Sequence, residues 1–443
     1  MDAPLTDRIV LRPTDEIAAL PSYSSVSDLI EHGTDRGRCE LLPASESPAS
    51  AWYPQAVEST GGNSPPAWWS DDPIIRSRAV HLFRLRNAYY VPAFGVIFSS
   101  SGEVMRTSMA EAADVTPDFA ALPHAERKGN ETSLSLPSHV RKLDRIVVSM
   151  PWGAIFNYGH FLLDCLPTVA SVAEISELNA WMFGFPPLKP WQRRHLELLG
   201  VDAPVELETA PFSYVEMVAA GTLSMDEGAE LGARWGVARE DFERSVRQSE
   251  HPELYHISDL MWTSCMAYFM HYPNINYRML RDRQLARKIP SSLAFKKVYI
   301  SRRGNPKRTF LSEAQLEERL HQLGFAIITP EQHTVDEQID IFGNADIIVG
   351  CAGAAFANVI YCKEGATVVE ITPTRMVQTE ISVSGIWVRN ICAIVGCRWR
   401  PYYCADMPSE TPVVFAGIER LDRDFLFDLD IEDLLGYIEG LTF

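Results

Sequence analysis

The feature that most constrains the fold is a strict alternation of short apolar segments with amphipathic segments after residue 290. The apolar segments "KVYI", "FAII", "DIIVG" and "ATVVEI" have the length and branched side chains of buried strands. The amphipathic segments predict helices, the first of which begins at the N-cap Ser312 and ends at a glycine. Because parallel strands need crossover connections, this alternation predicts a doubly wound parallel sheet.

The first half of the chain predicts a second α/β region. The alternating apolar residues of 79–105 predict strands with a hairpin near 99–104, and residues 144–152 predict a buried strand. That strand runs into "IFNYGHFLLDCLP", which predicts a short helix that Pro167 stops or kinks. Residues 225–290 are polar and are predicted to be helical.

A chain of 443 residues is too long for a single ordinary hydrophobic core. We predict a loop-rich segment over 1–75, a first domain over 76–290 and a second domain over 291–420. Residues 421–443 contain an acidic amphipathic helix, which is expected to pack back on the first domain.

Charge and composition exclude several classes of function. The formal net charge of −18 repels nucleic acid and anionic lipid, so neither is expected as a main partner. The N-terminus has no basic region followed by an apolar run, and no segment has the roughly 18 apolar residues of a membrane span. The expectation is a soluble, cytoplasmic protein.

The eight cysteines contain no CxxC pair and lack the spacing of a zinc site, so reduced and mostly buried thiols are predicted. An approach of Cys397 to Cys404 is a weaker alternative.

A basic cluster follows the first strand of the second half. Arg302, Arg303, Lys307 and Arg308 place four cations within seven residues of an otherwise acidic chain. Because ligands of doubly wound sheets bind at the carboxyl ends of the strands, this cluster is suited to a diphosphate. The alternative is a solvated basic loop.

Two further features fall at predicted strand ends. In "VGCAGAAFAN", small residues before a helix let the backbone approach a phosphate, although close helix packing explains them equally well. The segment is not a Walker A loop and matches GxGxxG poorly. Glu370 in "VVEIT" is a strand-end carboxylate that can hold a ribose diol, and the alternative is an exposed residue at a strand terminus.

The helix "IFNYGHFLLDCLP" carries three polar residues in apolar surroundings. Asn157, His160 and Asp164 are spaced i, i+3 and i+7, so on an α-helix they share one narrow face. The arrangement is either a hydrogen-bonded structural network or a catalytic site.

Together these motifs resemble glycosyltransferase family 61. The resemblance is carried by "NYGHFLLDCLP" within residues 145–170 and by "VYISRR", "DEQI", "NADIIVG", "AGAAFAN" and "VVEI" within 296–373. It implies a GT-B architecture, in which two Rossmann-like domains face a cleft, with an extra N-terminal β-containing segment in this chain. The resemblance implies that the domain over 76–290 is the acceptor side and that the domain over 291–420 binds the nucleotide sugar. It further implies an inverting transfer from a nucleotide sugar, usually a UDP sugar, to a glycan, as in capsular polysaccharide, xylan and O-glycan synthesis.

The resemblance and the residue chemistry together define the expected site. The acceptor side is expected at Asn157 and Tyr158, next to the candidate bases. The donor-binding residues are expected to be Arg302, Arg303, Arg308, Gln338, Gly353, Ala354, Asn358 and Glu370. The chain departs from the family pattern at Ala352, where the family usually has His, and at Ser312, where Asn often precedes the Glu that matches Glu313.

An inverting transfer needs a base for the acceptor hydroxyl and positive charge for the departing diphosphate. Asp164 is our first candidate for the base, because burial raises the pKa of an aspartate, and His160 is the second. Their i, i+4 spacing also allows a direct hydrogen bond. The expected charge comes from Arg302 and Arg308, with no metal and no cofactor besides the donor.

Three functional hypotheses follow. The first is a glycosyltransferase of bacterial surface polysaccharide synthesis, whose partners are a nucleotide sugar and a glycan, with peripheral association through a lipid-linked acceptor. The second, prompted by Ala352, is a non-catalytic nucleotide-sugar or glycan-binding relative. The third is a nicotinamide-dependent oxidoreductase, against which the poor GxGxxG match argues. The donor sugar, linkage and oligomeric state do not follow from the sequence.

Overall fold

The protein is represented by a computed structural model. It describes residues 8–14, 20–48, 74–77, 79–92, 96–105, 125–128, 131–136, 140–148, 157–207, 224–234, 238–250, 254–263, 273–303, 309–373, 387–404, 413–415, 418–420 and 426–441. The chain divides into two compact units. The N-terminal unit comprises Met1–Ser45 and Ser77–Leu280, and the C-terminal unit comprises Glu46–Arg76 and Arg281–Phe443.

The strands of the described residues are numbered in chain order. They are β1 Arg8–Thr14, β2 Ser22–Tyr23, β3 Arg36–Leu42, β4 Glu46–Pro48, β5 Ile74–Arg76, β6 Val80–Val91, β7 Val96–Ser99, β8 Glu103–Met105, β9 Ala125–Lys128, β10 Glu131–Ser135, β11 Arg141–Val148, β12 Met182–Phe185, β13 Val205–Glu206, β14 Tyr255–Thr263, β15 Lys297–Ile300, β16 Thr309–Phe310, β17 Ala326–Ile328, β18 Ile347–Cys351, β19 Thr367–Pro373, β20 Arg398–Cys404, β21 Val413–Phe415, β22 Ile418–Arg420 and β23 Leu426–Phe427.

The α-helices of the described residues are α1 Val26–His32, α2 Tyr158–His160, α3 Leu166–Val172, α4 Pro190–Glu197, α5 Met225–Arg234, α6 Arg239–Glu250, α7 Asn274–Arg287, α8 Glu313–Gln322, α9 Val335–Asn344, α10 Trp387–Val395 and α11 Ile431–Glu439. A π-helical segment, Phe161–Cys165, joins α2 to α3, and 3₁₀ helices span Ser176–Leu178, Pro330–Gln332 and Ala354–Tyr361.

The N-terminal unit contains a mixed sheet whose parallel part has a Rossmann-like order. Strands β13, β12, β11 and β14 are neighbours in that order and run parallel. Counted along the chain, they are the third, second, first and fourth strands of this part, so the order reverses between β11 and β14. Ligands of open α/β sheets bind outside the carboxyl ends of the strands at such a reversal.

The rest of this sheet is built on the long strand β6. It runs antiparallel to β14 on one side, and on its other side it pairs with β3 and then with β7. The predicted hairpin is confirmed: β7 and β8 are antiparallel, and Gly102 occupies the turn with a positive φ of 87°.

Strand β14 is a correction to the sequence analysis, which predicted helix throughout 225–290. Its polar residues account for the error. The guanidinium of the buried Arg84 donates two hydrogen bonds to the carboxylate of Asp259, at 2.7 and 2.5 Å. Because this partner on a neighbouring strand neutralises Asp259, a strand can contain a charged residue that the sequence alone suggests belongs to a polar helix.

The sequence predicted that Pro167 either stops or kinks the helix that carries His160. The helix does not stop there. It widens into the π-helical segment Phe161–Cys165 and then continues as α3 to Val172. A proline ring removes a hydrogen bond and crowds the preceding turn, and a widened turn accommodates both effects. The hydroxyl of Thr168 donates to the carbonyl of Cys165 at 2.7 Å, which satisfies that acceptor.

The C-terminal unit contains the predicted doubly wound parallel sheet. Its order is β17, β15, β18, β19, β20, and every neighbouring pair is parallel. Along the chain these are the second, first, third, fourth and fifth strands, so the order reverses between β15 and β18. The segment after β18 forms a 3₁₀ helix, Ala354–Tyr361, where the sequence predicted an ordinary helix.

The terminal helix α11 packs in the core of the C-terminal unit, whereas the sequence analysis expected it on the first domain. Its buried residues Leu434, Leu435 and Ile438 join one apolar cluster with residues of α8 and with alternate residues of β18 and β19. The apolar stripe of an amphipathic helix packs on any exposed apolar face, and its sequence does not specify which one.

The described cysteines, Cys39, Cys165, Cys351, Cys362, Cys392, Cys397 and Cys404, are free and buried, as predicted. Cys397 directly precedes β20 and Cys404 ends it, so at about 3.3 Å per residue they lie about 23 Å apart. The suggested approach of these two thiols is therefore wrong.

The α/β, GT-B-like fold class is confirmed, because each unit contains a parallel sheet with a strand-order reversal. Among the described residues, no helix combines the length and apolar character needed to cross a membrane.

Candidate functional site

In the N-terminal unit, the predicted polar helix follows β11, the strand at which the order reverses. Asn157 is the N-cap of α2, and its side chain accepts hydrogen bonds from the backbone N–H groups of Gly159 and His160 at 2.9 and 3.3 Å. Asn157 therefore fixes the start of the helix.

His160 and Asp164 form the predicted direct hydrogen bond. Nδ1 of His160 lies 2.7 Å from Oδ2 of Asp164. The Asp164 side chain is 1% exposed and the His160 side chain is 23% exposed. The pair bridges the beginning of the π-helical segment, and such segments recur at functional sites. The geometry is that of a solvent-accessible imidazole oriented by a buried carboxylate.

Tyr158 belongs to an aromatic cluster beside this pair. Its ring centroid lies 5.3 Å from that of Trp191 and 5.8 Å from that of His195, both in α4. Phe161 meets the same Trp191 ring edge to face at 5.1 Å. Tyr158 and Trp191 are partly exposed, so an aromatic surface adjoins His160.

In the C-terminal unit, the two predicted donor loops follow adjacent strands. Arg302 and Arg303 come after β15, and Gly353 and Ala354 come after β18. These strands pair in parallel, with Ile300 opposite Gly350, and the strand order reverses between them. The structure thus brings both loops to one switch point, while Arg308 and Lys307 lie outside the described residues.

Two carboxylates of α8 bind the segment that contains the arginines. Oε1 of Glu313 accepts hydrogen bonds from the backbone N–H of Arg302 at 2.7 Å and from the hydroxyl of Tyr299 at 3.1 Å. Glu317 accepts a 2.6 Å hydrogen bond from Ser301 and lies 3.2 Å from the guanidinium of Arg303. Glu313 and Glu317 are both buried.

Burial sets the protonation behaviour of this cluster. Desolvation raises the pKa of Glu313, and its hydrogen bonds from Arg302 and Tyr299 oppose that effect only in part. Desolvation likewise raises the pKa of the Tyr299 hydroxyl well above its usual range, so Tyr299 is a hydrogen-bond donor.

The small residues after β18 have different roles. A Cβ added to Gly350 would lie 2.9 Å from Cβ of Ile300 and 3.3 Å from its carbonyl oxygen, so Gly350 is required for packing. Gly353 has extended backbone, with a φ of 172°, and precedes the 3₁₀ helix. Ala352, at the position of the family's His, is 4% exposed.

Gln338 and Asn358 lie together, but they bind each other. Nδ2 of Asn358 donates to Oε1 of Gln338 at 3.0 Å, and Nε2 of Gln338 donates to the carbonyl of His333. Glu337 forms a capping box with Thr334 at the start of α9. These contacts join α9 to the 3₁₀ helix, and a direct donor contact by Gln338 or Asn358 stays a prediction.

The predicted strand-end position of Glu370 is wrong. Strand β19 extends to Pro373, so Glu370 lies at its middle and is buried between β18 and β20. Its carboxylate accepts a 2.8 Å hydrogen bond from Nε1 of Trp399. Both sequence alternatives placed this residue at the strand terminus, and neither describes it.

Glu317 is a site residue that the motifs did not indicate, although the helical pattern contains a signal for it. The buried positions of α8 are Glu313, Leu316, Glu317 and Leu320. Their i, i+3, i+4, i+7 spacing is that of an apolar stripe, so two glutamates occupy core-facing positions. Because buried carboxylates need partners, this pattern indicates a charged or hydrogen-bonding site beside the helix.

Comparison with known proteins identifies the class. The family model described as Glycosyltransferase 61 matches residues 158–369, which include the His160–Asp164 pair and the Arg302 segment. The protein is a glycosyltransferase. Over residues 158–369 the chain matches the model of glycosyltransferase family 61, which confirms the resemblance in its motifs. The match favours sugar transfer over the nicotinamide-dependent alternative.

Among solved structures, the chain is similar to the E. coli heptosyltransferase WaaC with ADP, at 8% identity and a TM-score of 0.28. That alignment covers 67% of this chain and 99% of the heptosyltransferase. No curated protein matches the sequence significantly.

Proposed function

We propose that the protein is an inverting, metal-independent glycosyltransferase that transfers a sugar from a UDP sugar to a glycan hydroxyl in surface polysaccharide synthesis. The match of residues 158–369 to the family 61 model supports the general reaction. The observation that carries the mechanism is the 2.7 Å hydrogen bond between an accessible imidazole and a buried carboxylate.

His160 is proposed as the base, with Asp164 as the residue that orients it. This reverses the order of preference from the sequence, because Asp164 is buried and His160 is the more accessible partner. With Nδ1–H donating to the carboxylate, Nε2 carries the lone pair that accepts the acceptor's hydroxyl proton. The buried carboxylate then stabilises the imidazolium that forms.

The transfer itself is a single displacement. As His160 takes the proton, the acceptor oxygen attacks the anomeric carbon from the side opposite the nucleotide. The bond from that carbon to the diphosphate oxygen breaks, and the nucleoside diphosphate departs with the electron pair. Arg302 and Arg303, after β15 at the strand-order reversal, are proposed to stabilise the developing negative charge.

A panel of UDP, GDP, ADP and dTDP sugars tests the proposal by thermal unfolding and by donor hydrolysis. A ligand at 100 times its dissociation constant adds about 2.7 kcal/mol to the free energy of unfolding, so the true donor gives a clear rise in Tm. A chain that responds to no nucleotide or nucleotide sugar is incompatible with the proposal. Stabilisation by a nucleotide sugar other than a UDP sugar would change only the proposed identity of the donor.

Ala352 favours a second candidate, a non-catalytic binding relative. It is buried after β18, and its backbone N–H donates to the carbonyl of Ile371 at 2.9 Å, so no imidazole is supplied from this position. Nucleotide-sugar binding without transfer or hydrolysis, unaffected by Asp164→Asn, would support this candidate. Turnover that depends on His160 would reject it.

A further inference from the structure

We propose that Glu317, together with Glu313, is a positioning residue for the donor diphosphate. The two buried carboxylates of α8 hold the segment Ser301–Arg303 so that the guanidinium of Arg303 is presented to the diphosphate. The inference rests on the proposed function and adds to it two residues that act through the arginines.

Glu317 orients the exposed side chain of Arg303. The Arg303 side chain is 66% exposed, whereas that of Glu317 is 8% exposed, and their charged groups lie 3.2 Å apart. A long arginine side chain samples many rotamers in solvent, and ordering it on the ligand weakens binding. An ion pair with a rigid, buried partner orders the arginine side chain before the ligand binds.

This contact leaves Arg303 suited to bind an anion. A guanidinium has five N–H donors in a planar fork, and the contact with Glu317 involves one terminal nitrogen. The planar fork matches the spacing of phosphate oxygens.

Ser301 couples the backbone of Arg303 to the same carboxylate. Its hydroxyl donates to Glu317 at 2.6 Å and accepts a hydrogen bond from the backbone N–H of Arg303 at 3.2 Å. Glu317 thus holds the guanidinium of Arg303 directly and its backbone through Ser301.

Glu313 performs the equivalent task one residue earlier. It binds the backbone N–H of Arg302 and the hydroxyl of the buried Tyr299, which anchors it to β15. The partners alternate along the chain, with Tyr299 and Arg302 on Glu313, and Ser301 and Arg303 on Glu317. Every residue from Ser301 to Arg303 therefore has a contact to α8.

A purely structural role would be served better by apolar residues at these positions. Buried carboxylates lose hydration, and well-packed hydrophobic replacements of buried ion pairs are often neutral or stabilising. Here the carboxylates bind the segment that follows β15 at the strand-order reversal, where ligands bind in this fold.

The direction in which Glu317→Gln changes the affinity for a diphosphate distinguishes a positioning role from a simple effect of charge. Glu317→Gln removes a negative charge close to the proposed anion site, so Coulomb's law alone predicts tighter binding of a diphosphate. Loss of positioning predicts weaker binding. We expect the Glu317→Gln chain to bind about tenfold more weakly, as expected for loss of one charge-assisted contact.

The experiment is a double-mutant cycle in the full chain, with binding measured by calorimetry. UDP, GDP, ADP and inorganic pyrophosphate are titrated into the natural chain, and the tightest binder serves as the probe. The variants are Glu317→Gln, Arg303→Ala and their combination. The matched control is Glu318→Gln, which makes the same chemical change at the adjacent exposed position of α8.

If Glu317 acts through Arg303, the double variant binds no more weakly than Arg303→Ala alone, and Glu318→Gln binds like the natural chain. Unchanged or tighter binding by Glu317→Gln, or fully additive effects in the double variant, would overturn the inference. Ser301→Ala retains both charges and decides the question if Glu317→Gln does not fold. We expect several-fold weaker binding, and unchanged binding would overturn the proposal.

Failure of the two proposals can be distinguished. If the natural chain binds none of the four probes, the proposed function and this inference fall together. If it binds a nucleotide and Glu317→Gln binds equally well, the function stands and only the inference fails.

Discussion

At the scale of single residues, the proposed chemistry of this protein depends on buried carboxylates and their partners. Asp164 binds His160, Glu313 binds Arg302 and Tyr299, and Glu317 binds Ser301 and Arg303. Each carboxylate contacts a group with a proposed role in proton transfer or anion binding, and burial of each carboxylate would be unfavourable without its partner.

The roles of His160 and Asp164 separate in two variants. His160→Ala is expected to lower kcat about 10³-fold, since general-base catalysis contributes about 10²–10⁴. Asp164→Asn removes the charge that orients and stabilises the imidazole and is expected to lower kcat about 10²-fold. Donor binding, measured by calorimetry, should be unchanged in both. The exposed Asp202→Asn is the control, and a larger loss in Asp164→Asn than in His160→Ala would make Asp164 the base.

Glu313 should make stability depend on pH with a defined sign. Burial raises the pKa of Glu313 above its ordinary value of 4.5, so its protonated form is favoured in the folded state. Its contribution is fully present below the unfolded pKa and is lost as pH rises through the folded pKa. Urea unfolding from pH 4 upward should therefore show the natural chain losing stability relative to Glu313→Gln. A difference that grows in favour of the natural chain would contradict the raised pKa.

At the scale of elements, backbone proximity decides which small residues are essential. Gly350 of β18 faces Ile300 of β15, and an added methyl group would lie 2.9 Å from Cβ of Ile300. The small residues of "VGCAG" therefore serve packing at Gly350, one of the two readings that the sequence left open. This close packing occurs between the two strands that precede the proposed donor loops.

Gly350→Ala is expected to destabilise the chain by about 1–3 kcal/mol, the usual effect of overpacking. Gly436→Ala is the matched control, because Gly436 lies in α11 with no atom within 4 Å of an added Cβ. There alanine should stabilise the helix by about 0.5–1 kcal/mol. Urea unfolding measures both changes, and equal signs would contradict this account.

The terminal helix gives a second prediction at this scale. Leu434 is fully buried in the C-terminal core, so Leu434→Ala should destabilise that unit by about 3 kcal/mol. Urea unfolding of the C-terminal unit, followed by protection of its amides from exchange, should report the loss. Glu439→Ala changes an exposed residue of the same helix and should have little effect. A loss of protection confined to the N-terminal unit would contradict the observed packing.

At the scale of the whole molecule, two sheets of different size place their functional residues by the same rule. In both units the candidate residues follow the first strand of the parallel order, β11 or β15, where the order reverses. The proposed base lies in the N-terminal unit, and the arginines and the carboxylates that hold them lie in the C-terminal unit.

The proposed use of arginines predicts the response to metal removal. If side-chain cations stabilise the leaving diphosphate, turnover should be unchanged, within about twofold, after EDTA treatment and buffer exchange. Turnover is measured before and after chelation, and again with added Mg²⁺ or Mn²⁺. A rate that collapses on chelation and returns with the metal would contradict this element of the mechanism.

Much of this arrangement could be predicted from the sequence, because local periodicity specifies local structure. The strands β15, β18 and β19, the helices α8 and α9 and the i, i+4 pairing of His160 with Asp164 are all consequences of residue spacing. Two features were missed because their composition conflicts with their environment. Strand β14 contains a charge neutralised by Arg84, and the correctly predicted helix α8 turns the missed Glu317 toward the core.

By itself, therefore, the sequence determined most element types of the C-terminal unit, the α/β class and the chemical character of the candidate residues. Only the tertiary structure decided that Asp164 is the more buried member of its pair, that Glu370 lies inside the sheet, and that Glu317 holds Arg303. The physical reason is that strand order and burial depend on contacts between residues distant in the chain. The intrinsic preferences of neighbouring residues act only within an element and carry no information on which elements become adjacent.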